Sequence, residues 1–343
     1  MKVLFIGGTG TISTAITKKL CEGCNKIYLI NRGSRNDEMP SNINFITADI
    51  NNKEQVALAL RDKMFDVVCD FIGFVPEQLE RDYRLFAGKT KQFIYISSAS
   101  AYNKPLNDYI INEGTTLANK YWTYSRNKIA CEEFLMKQYR DNGFPVTVIR
   151  PSHTYCERSV PVGLSGKKGS FQVIKRMLEG KPVIVHGDGT SLWTMTDSRD
   201  FAEGFIGLMG NLHAIGEAFN ITCDESLTWN QIYSTIAKCL NVEYKPYYVS
   251  SKFLSEVCPT DYDLEGGLLG DKSNSVVFDN SKLKRAVPSF APTIRFEEGV
   301  KRSIEYVLCH KECQIEDPEF DSWCDKIIDT LEKAKSEVRQ WLK

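Results

Sequence analysis

Short apolar runs recur through the first half of the chain: Val3-Leu4-Phe5-Ile6, Lys26 to Ile30 (KIYLI), Ile43 to Ile46, Phe65 to Ile72, and Gln92 to Ile96. Each is too short for a helix and apolar without alternation, the pattern of a strand covered on both faces. Stretches of helical period separate them, beginning with Ile12 to Leu20. This βαβ rhythm predicts a doubly wound parallel sheet of the Rossmann type. Beyond residue 151 the pattern is mixed. Phe171 to Leu178 and Trp229 to Leu240 read as helices, and Val183-Ile184-Val185 as a strand ended by a structural His186. Glu157 to Ser170 reads as a mobile polar loop, and Gly266-Gly267-Leu268-Leu269-Gly270 as another loop. Ser322 to Lys343 reads as a charged packing or dimer helix, with Trp323, Ile327, Ile328, Leu331 and Trp341 on its apolar side. The expected organisation is an α/β chain. Residues 1–151 form a dinucleotide-binding domain with a returning segment near 183–222. Residues 152–343 form mainly a smaller C-terminal α/β substrate domain and the last helix.

The first strand runs directly into glycines, in the order Gly7-Gly8-Thr9-Gly10-Thr11-Ile12-Ser13. Glycines let the backbone turn tightly and approach a pyrophosphate, while the following helix offers its N-terminal N–H groups and positive dipole end. The spacing is Gly8-x-Gly10-x-x-Ser13, with Ser where a third small residue packs helix on strand. At the end of the second strand an NAD site usually places an acid for the ribose 2′-hydroxyl. This chain has Asn31-Arg32-Gly33-Ser34-Arg35 instead. Two guanidiniums there suit a 2′-phosphate, so the expected cofactor is NADP in preference to NAD. Asp49 follows the third strand and offers an acceptor to an adenine amino group. It also stands where it would cap the helix expected near Lys53. Gly73 ends the fourth strand and Ser98 follows the fifth. In such sheets ligands lie beyond the carboxyl ends of the strands, where all these residues fall.

Composition narrows the class. The chain has 343 residues, net charge −1 and 25% charged residues, which argues against nucleic acid or an anionic membrane as partner. No apolar run approaches the ~18 residues of a membrane span, and no secretory signal pattern opens the chain. Eleven irregularly spaced cysteines read as reduced thiols in a cytoplasmic protein, with no metal site.

Tyr124 and Lys128 lie four residues apart and share a helix face. A free tyrosine, with a pKa near ~10, is a poor base at neutral pH. A fixed ammonium nearby favours the phenolate and makes it a candidate general acid/base. Ser98 is placed to orient a substrate oxygen beside it.

These motifs, with Ser97-Ser98-Ala99-Ser100-Ala101-Tyr102, Val148-Ile149-Arg150-Pro151, Gly187-Asp188-Gly189, Asp200-Phe201-Ala202, Phe219-Asn220-Ile221-Thr222 and Glu297-Glu298-Gly299, resemble an extended short-chain dehydrogenase/reductase of the NAD-dependent epimerase/dehydratase type acting on nucleotide sugars. The resemblance covers about residues 1 to 308 and implies Ser98, Tyr124 and Lys128 as catalytic residues. It adds Ile50, Phe71, Ile72, Ser97, Pro151 and His153 to the cofactor set, and Tyr102, Trp193 and Arg199 as substrate contacts. It also implies a homodimer. Dehydratases of the family carry Asp-Glu where this chain has Ala99 and Ser100, which disfavours dehydration. The expectation is a sugar epimerase, with a keto-sugar reductase second. Third is a non-catalytic relative that binds a dinucleotide or RNA, the latter found in a branch sharing the Asn-Arg-Gly.

Overall fold

The computed structural model describes residues 1–342. In order come β1 (Lys2–Ile6), α1 (Ser13–Cys21), β2 (Lys26–Asn31), β3 (Asn44–Thr47), α2 (Lys53–Ala59), β4 (Phe65–Asp70), α3 (Pro76–Phe86) and β5 (Thr90–Ile96). Then follow the short β6 (Ile110–Ile111), the long α4 (Thr123–Asn142), β7 (Val146–Pro151), β8 (His153–Tyr155), α5 (Phe171–Leu178) and β9 (Val183–His186). Next are β10 (Leu192–Trp193), β11 (Met195–Asp197), α6 (Ser198–Leu208), β12 (Ala218–Ile221), β13 (Leu227–Thr228), α7 (Trp229–Leu240) and β14 (Pro246–Val249). The chain ends with α8 (Ser251–Val257), β15 (Val277–Phe278), α9 (Ser281–Ala286), α10 (Phe296–Cys309) and α11 (Pro318–Trp341).

Seven strands form one parallel sheet in the order β12-β7-β5-β4-β1-β2-β3. The order reverses between β1 and β4, where the connections leave to opposite faces and a crevice opens at the strand ends. Ile6 pairs with Ile30 on one side and Asp70 on the other, so Gly7 comes level with Asn31 and Phe71. The unbroken apolar character of β1 is explained by burial on both faces. Val3 and Phe5 join Phe201 and Phe205 of α6, while Leu4 and Ile6 join Leu79 and Phe86 of α3 and Leu135 of α4. A side chain of this size contributes about 1.5–3 kcal/mol when fully buried.

The chain divides into two compact units. The first comprises Met1–Tyr155, Thr194–Ser226 and Val276–Ile294; the second comprises Cys156–Trp193, Leu227–Ser275 and Arg295–Lys343. The division differs from the sequence expectation. The returning segment starts near Thr194 rather than near 183, because Val183–His186 pairs with β14 in the second unit. A third piece, Val276–Ile294, joins the first unit through β15 on β6 and Asn280. The Asn280 side chain accepts from Thr222 Oγ1 at 3.0 Å and donates to Thr222 O at 2.9 Å.

In the second unit the carbonyl of Lys272 accepts from Trp229 Nε1, Ser191 Oγ and His186 Nε2 at 3.1–3.2 Å. His186 is thus a structural donor, and burial pushes its pKa down to about 4. Two sequence expectations fail here. Segment 157–170 is not simply a mobile polar loop, because Val160, Val162 and Leu164 are buried and the Tyr233 hydroxyl accepts from Gly163 N and Leu164 N. The glycine run at 266–270 lies in a wide helical turn, Glu265–Lys272, which Leu268 anchors by burial and Asp263 begins by accepting from Gly266 N. Helix α11 starts earlier than expected, with Pro318 at its first turn and Asp317 accepting from Phe320 N.

Candidate active site

A groove of 510 Å³ opens at the carboxyl ends of β1, β2 and β3. Gly7, Thr9, Gly10, Asn31, Arg32, Arg35, Asp49, Ile50 and Ile72 line it, together with Phe74, Asn51 and Gln78. Gly7 turns the chain at φ +83°, and a Cβ there would meet Ile72 Cγ2 at 2.6 Å. A Cβ on Gly8 would meet Leu29 Cδ2 at 2.4 Å, whereas above Gly10 the nearest atom is Ser13 Oγ at 3.6 Å. Two glycines therefore serve the turn and the packing, and the third leaves backbone open to a ligand. Ser13 does more than tolerate close packing. Its hydroxyl donates to Gly7 O and accepts from Gly10 N, both at 2.9 Å, and Thr17 Oγ1 donates to Gly8 O. The N-cap of α1, Ile12, brings no side-chain acceptor to the helix N–H groups. A backbone cradle, a positive helix end and an open space fit a dinucleotide pyrophosphate.

The rim carries the charges. Arg32 and Arg35 are exposed, and Arg35 Nη1 donates to Thr9 O at 3.3 Å. The Asn31 side chain is spent within its own loop, donating to Asn36 Oδ1 and accepting from Gly33 N. Asp49 is exposed and accepts from Asn51 N. The cap of α2 is Asn52, which accepts from Gln55 N; the expectation that Asp49 caps it is corrected, because Asp49 lies three residues too early to reach that turn.

Phe74 joins the groove to a second cluster. Its ring lies 6.4 Å from that of Tyr124 and 4.7 Å from Lys128 Nζ, and the Trp122 ring lies 4.9 Å from that of Tyr124. Tyr124 is half-buried and Lys128 is 2% exposed. Lys128 Nζ donates to Gly73 O at 2.7 Å and Ile96 O at 2.8 Å, over the rings of Phe74, Tyr95 and Tyr124. Burial lowers its pKa to about 8, against the pull of Asp70 and Glu132. Gly73 is glycine because a Cβ would sit 2.3 Å from Asp70 Oδ2 and 2.9 Å from Leu79 Cδ2. Its carbonyl anchors Lys128 and also accepts from the Tyr95 hydroxyl. The anchoring role is an addition to the sequence expectation that the backbone at Gly73 passes beside the cofactor.

Ser98 is half-buried at the end of β5, and Ser97 beside it is buried, with its Oγ lacking a hydrogen-bond partner among the described residues. The remaining expected contacts lie as follows. Phe71 turns into the apolar layer against Phe5 and Phe205. Pro151 closes β7 and His153 opens β8, in register with Met195. Thr11 and Ile12 lead into α1. Tyr102 is fully buried, donating to Asn220 Oδ1 at 2.8 Å and accepting from Arg150 Nη1 at 3.0 Å; it is a network residue, not a ligand contact. Trp193 lies in the second unit, 3% exposed against Trp229, and Arg199 is paired with Asp197 at the start of α6.

Sequence reasoning missed Phe74, the buried Arg150–Glu132 pair at 2.6 Å, and the hydrogen bonds that tie Ser100 to Ser98 and Ser125. One signal was present: Tyr124, Lys128 and Glu132 recur at every fourth position, so a third polar group shares the face of the first two. Among the described residues no cluster of metal-ligating side chains occurs, no helix is long and apolar enough to cross a membrane, and all eleven cysteines are free.

A parallel sheet that reverses order beside a glycine cradle, with a tyrosine and a buried lysine at the neighbouring strand ends, defines a nucleotide-cofactor enzyme of the Rossmann class. The chain belongs to the NAD-dependent epimerase/dehydratase family, whose model matches residues 3–222. It is 26% identical over 250 residues to the chloroplast stem-loop binding protein of 41 kDa b from Arabidopsis thaliana, covering 69% of this chain and 62% of that protein. It is 24% identical over 335 residues to a putative UDP-glucose 4-epimerase of Methanocaldococcus jannaschii, covering 89% and 98%. The fold matches that of a UDP-glucuronic acid 4-epimerase from Bacillus cereus, solved with UDP-glucuronic acid and NAD. The TM-score is 0.71 at 20% identity, over 90% of this chain and 99% of the other.

Proposed function

We propose that this chain is an NAD(P)-dependent epimerase of a nucleotide sugar. The observation that carries the reading is the packing of Tyr124 and Lys128 on Phe74, a residue that also lines the glycine groove, with Ser98 tied through Ser100 to Ser125 next to Tyr124. Gly7, Gly8 and Gly10 would hold the cofactor diphosphate, Asp49 the adenine, and Arg32 with Arg35 a 2′-phosphate. The bound nicotinamide supplies reversible hydride acceptance.

In this reading Tyr124 takes the proton from the sugar hydroxyl and later returns it. Ser98 donates a hydrogen bond to the same oxygen. Lys128, with two of its protons fixed on Gly73 O and Ile96 O, keeps a positive charge 5.7 Å from the Tyr124 ring. That charge favours the phenolate. A second reading, a keto-sugar reductase, is favoured by one observation: the rim at β2 carries exposed arginines and no acid, which suits NADPH supply.

The test is to incubate the protein with UDP-sugars and each nicotinamide cofactor, following epimer formation by NMR and cofactor absorbance. Epimer without net cofactor change supports the first reading. Stoichiometric consumption of NADPH supports the second, and no turnover with any sugar overturns both.

A further inference from the structure

Three hydroxyls are hydrogen-bonded in series from Ser125, the residue that follows Tyr124, to Ser98. Ser125 Oγ, on the first turn of α4 and fully buried, donates to Ser100 Oγ at 2.8 Å. Ser100 Oγ, 4% exposed, lies 2.9 Å from Ser98 Oγ. The Ser100 N–H also donates to Ser98 Oγ at 3.2 Å, in the short turn Ala99–Ala101 that Ser98 caps. Asn119 fastens this turn to the start of α4, donating to Ser100 O at 2.8 Å and accepting from Tyr121 N and Trp122 N.

Counting hydrogens fixes the direction of the line. Ser100 Oγ already receives the hydrogen of Ser125. Its own hydrogen needs an acceptor, and among the described residues Ser98 Oγ is the one within reach. If Ser98 donated to Ser100 instead, a buried hydroxyl hydrogen on Ser100 would be left without a partner, an arrangement buried groups avoid. The Ser98 oxygen also faces the Ser100 N–H, which favours it as acceptor on that side. The hydrogen of Ser98 therefore points away from the protein line.

We propose that Ser125 and Ser100 are positioning residues of a one-way hydroxyl relay that presents Ser98 as a hydrogen donor to the ligand oxygen at Tyr124. The proposal deepens the epimerase reading and rests on it for the identity of that oxygen. Tyr124 then carries the proton transfer and Ser98 supplies a fixed dipole, so the two hydroxyls do not compete for one role.

A double-mutant cycle tests the relay. Ser98→Ala should lower kcat by roughly 10²–10³-fold, as expected for loss of an oriented donor. Ser100→Ala should lower it about 10-fold, and Ser125→Ala about 3-fold, with KM unchanged, because they loosen an orientation rather than remove the donor. In the Ser98→Ala background, Ser100→Ala should add nothing. A full additional loss there, or no loss from Ser100→Ala in the native background, overturns the relay. Neutron diffraction of the deuterium-exchanged protein reads the polarity without any substrate: a deuteron on Ser100 aimed at Ser98 is expected, and one on Ser98 aimed at Ser100 overturns it. If the protein turns over no sugar, the functional reading fails while the neutron map still decides the relay.

Discussion

The two ends of the first unit's site are built differently. At the glycine turn the recognition surface is backbone, open space and exposed guanidiniums. Around half-buried Tyr124 and Ser98 it is backed by buried polar side chains, with Lys128 on two carbonyls, Ser125 and Ser100 bonded in series to Ser98, and Arg150 on Glu132 further along α4. The difference separates what is easily changed from what is not. Exposed charges are solvated with or without a ligand, so their substitution shifts affinity and leaves the fold alone. Buried polar groups are held by partners, and removing one strands another. Under the proposed reading, choice of cofactor falls to the exposed end and proton transfer to the end backed by buried polar groups.

The largest effect should come from the buried end. Tyr124→Phe keeps the ring packing on Phe74 and Trp122 but removes the proposed acid/base, so kcat should fall by about 10³-fold or more while cofactor affinity, read by titration, is unchanged. An unaltered rate would erase the contrast between the two ends. Next in size, Arg150→Met leaves the Glu132 carboxylate buried without its guanidinium and the Tyr102 hydroxyl without a donor. Breaking a buried pair from one side costs about 3–5 kcal/mol, so urea unfolding should show a loss of that order. The buried end should also show a pH limit. Since the Lys128 pKa is lowered to about 8, the rate should decline above that pH as the charge beside Tyr124 is lost. The sign for stability is the reverse: the depressed lysine destabilises the fold while charged, and that penalty is relieved as pH rises from about 8 toward 10.5.

The glycine turn and the sheet were legible in the sequence because local backbone chemistry dictates them. Gly7 must adopt positive φ and Gly8 must admit Leu29, and both needs are met within a few residues of an apolar strand. Tyr124 and Lys128 were legible because helical spacing alone puts them on one face. The burial of Tyr102 was not, since its partners Asn220 and Arg150 lie 118 and 48 residues away and neither pairing leaves a local mark. Segment 157–170 misled for the same reason. Its polar residues and glycines dominate the local pattern, while the Tyr233 hydroxyl that holds Gly163 N and Leu164 N lies 70 and 69 residues away.

The second unit supplies a control for the comparison, a buried polar residue to which the proposed reading gives no role. His186 has its pKa depressed to about 4 from 6.5 by burial, while its Nε2 donates to Lys272 O. The unfolded chain takes up a proton first as pH falls, so stability is lost between pH 6.5 and about 4. The loss should be about 2 kcal/mol between pH 7 and pH 5, and His186→Gln should remove that slope in urea titrations. A slope that survives the substitution would assign the acid sensitivity to other groups.

The smallest effect belongs to the exposed end. Replacing Arg32 and Arg35 together with Ala should weaken NADPH binding by about 10–30-fold, the scale of losing a charge-assisted hydrogen bond to a phosphate at a solvated site. NADH affinity should stay within about 2-fold and the unfolding midpoint should not move, since neither guanidinium is buried. If the guanidiniums hold a 2′-phosphate, the ratio of NADPH to NADH affinity should shrink as salt is added, because solvent screens these charges. An equal loss for both cofactors would mean that the guanidiniums hold the diphosphate common to the two. Arg35, already bonded to the carbonyl of Thr9 in the glycine turn, is the one placed to do so. Substituting each arginine separately then decides between the roles: loss confined to NADPH on changing Arg32, with an even loss on changing Arg35, would divide the rim into a selective position and a general one.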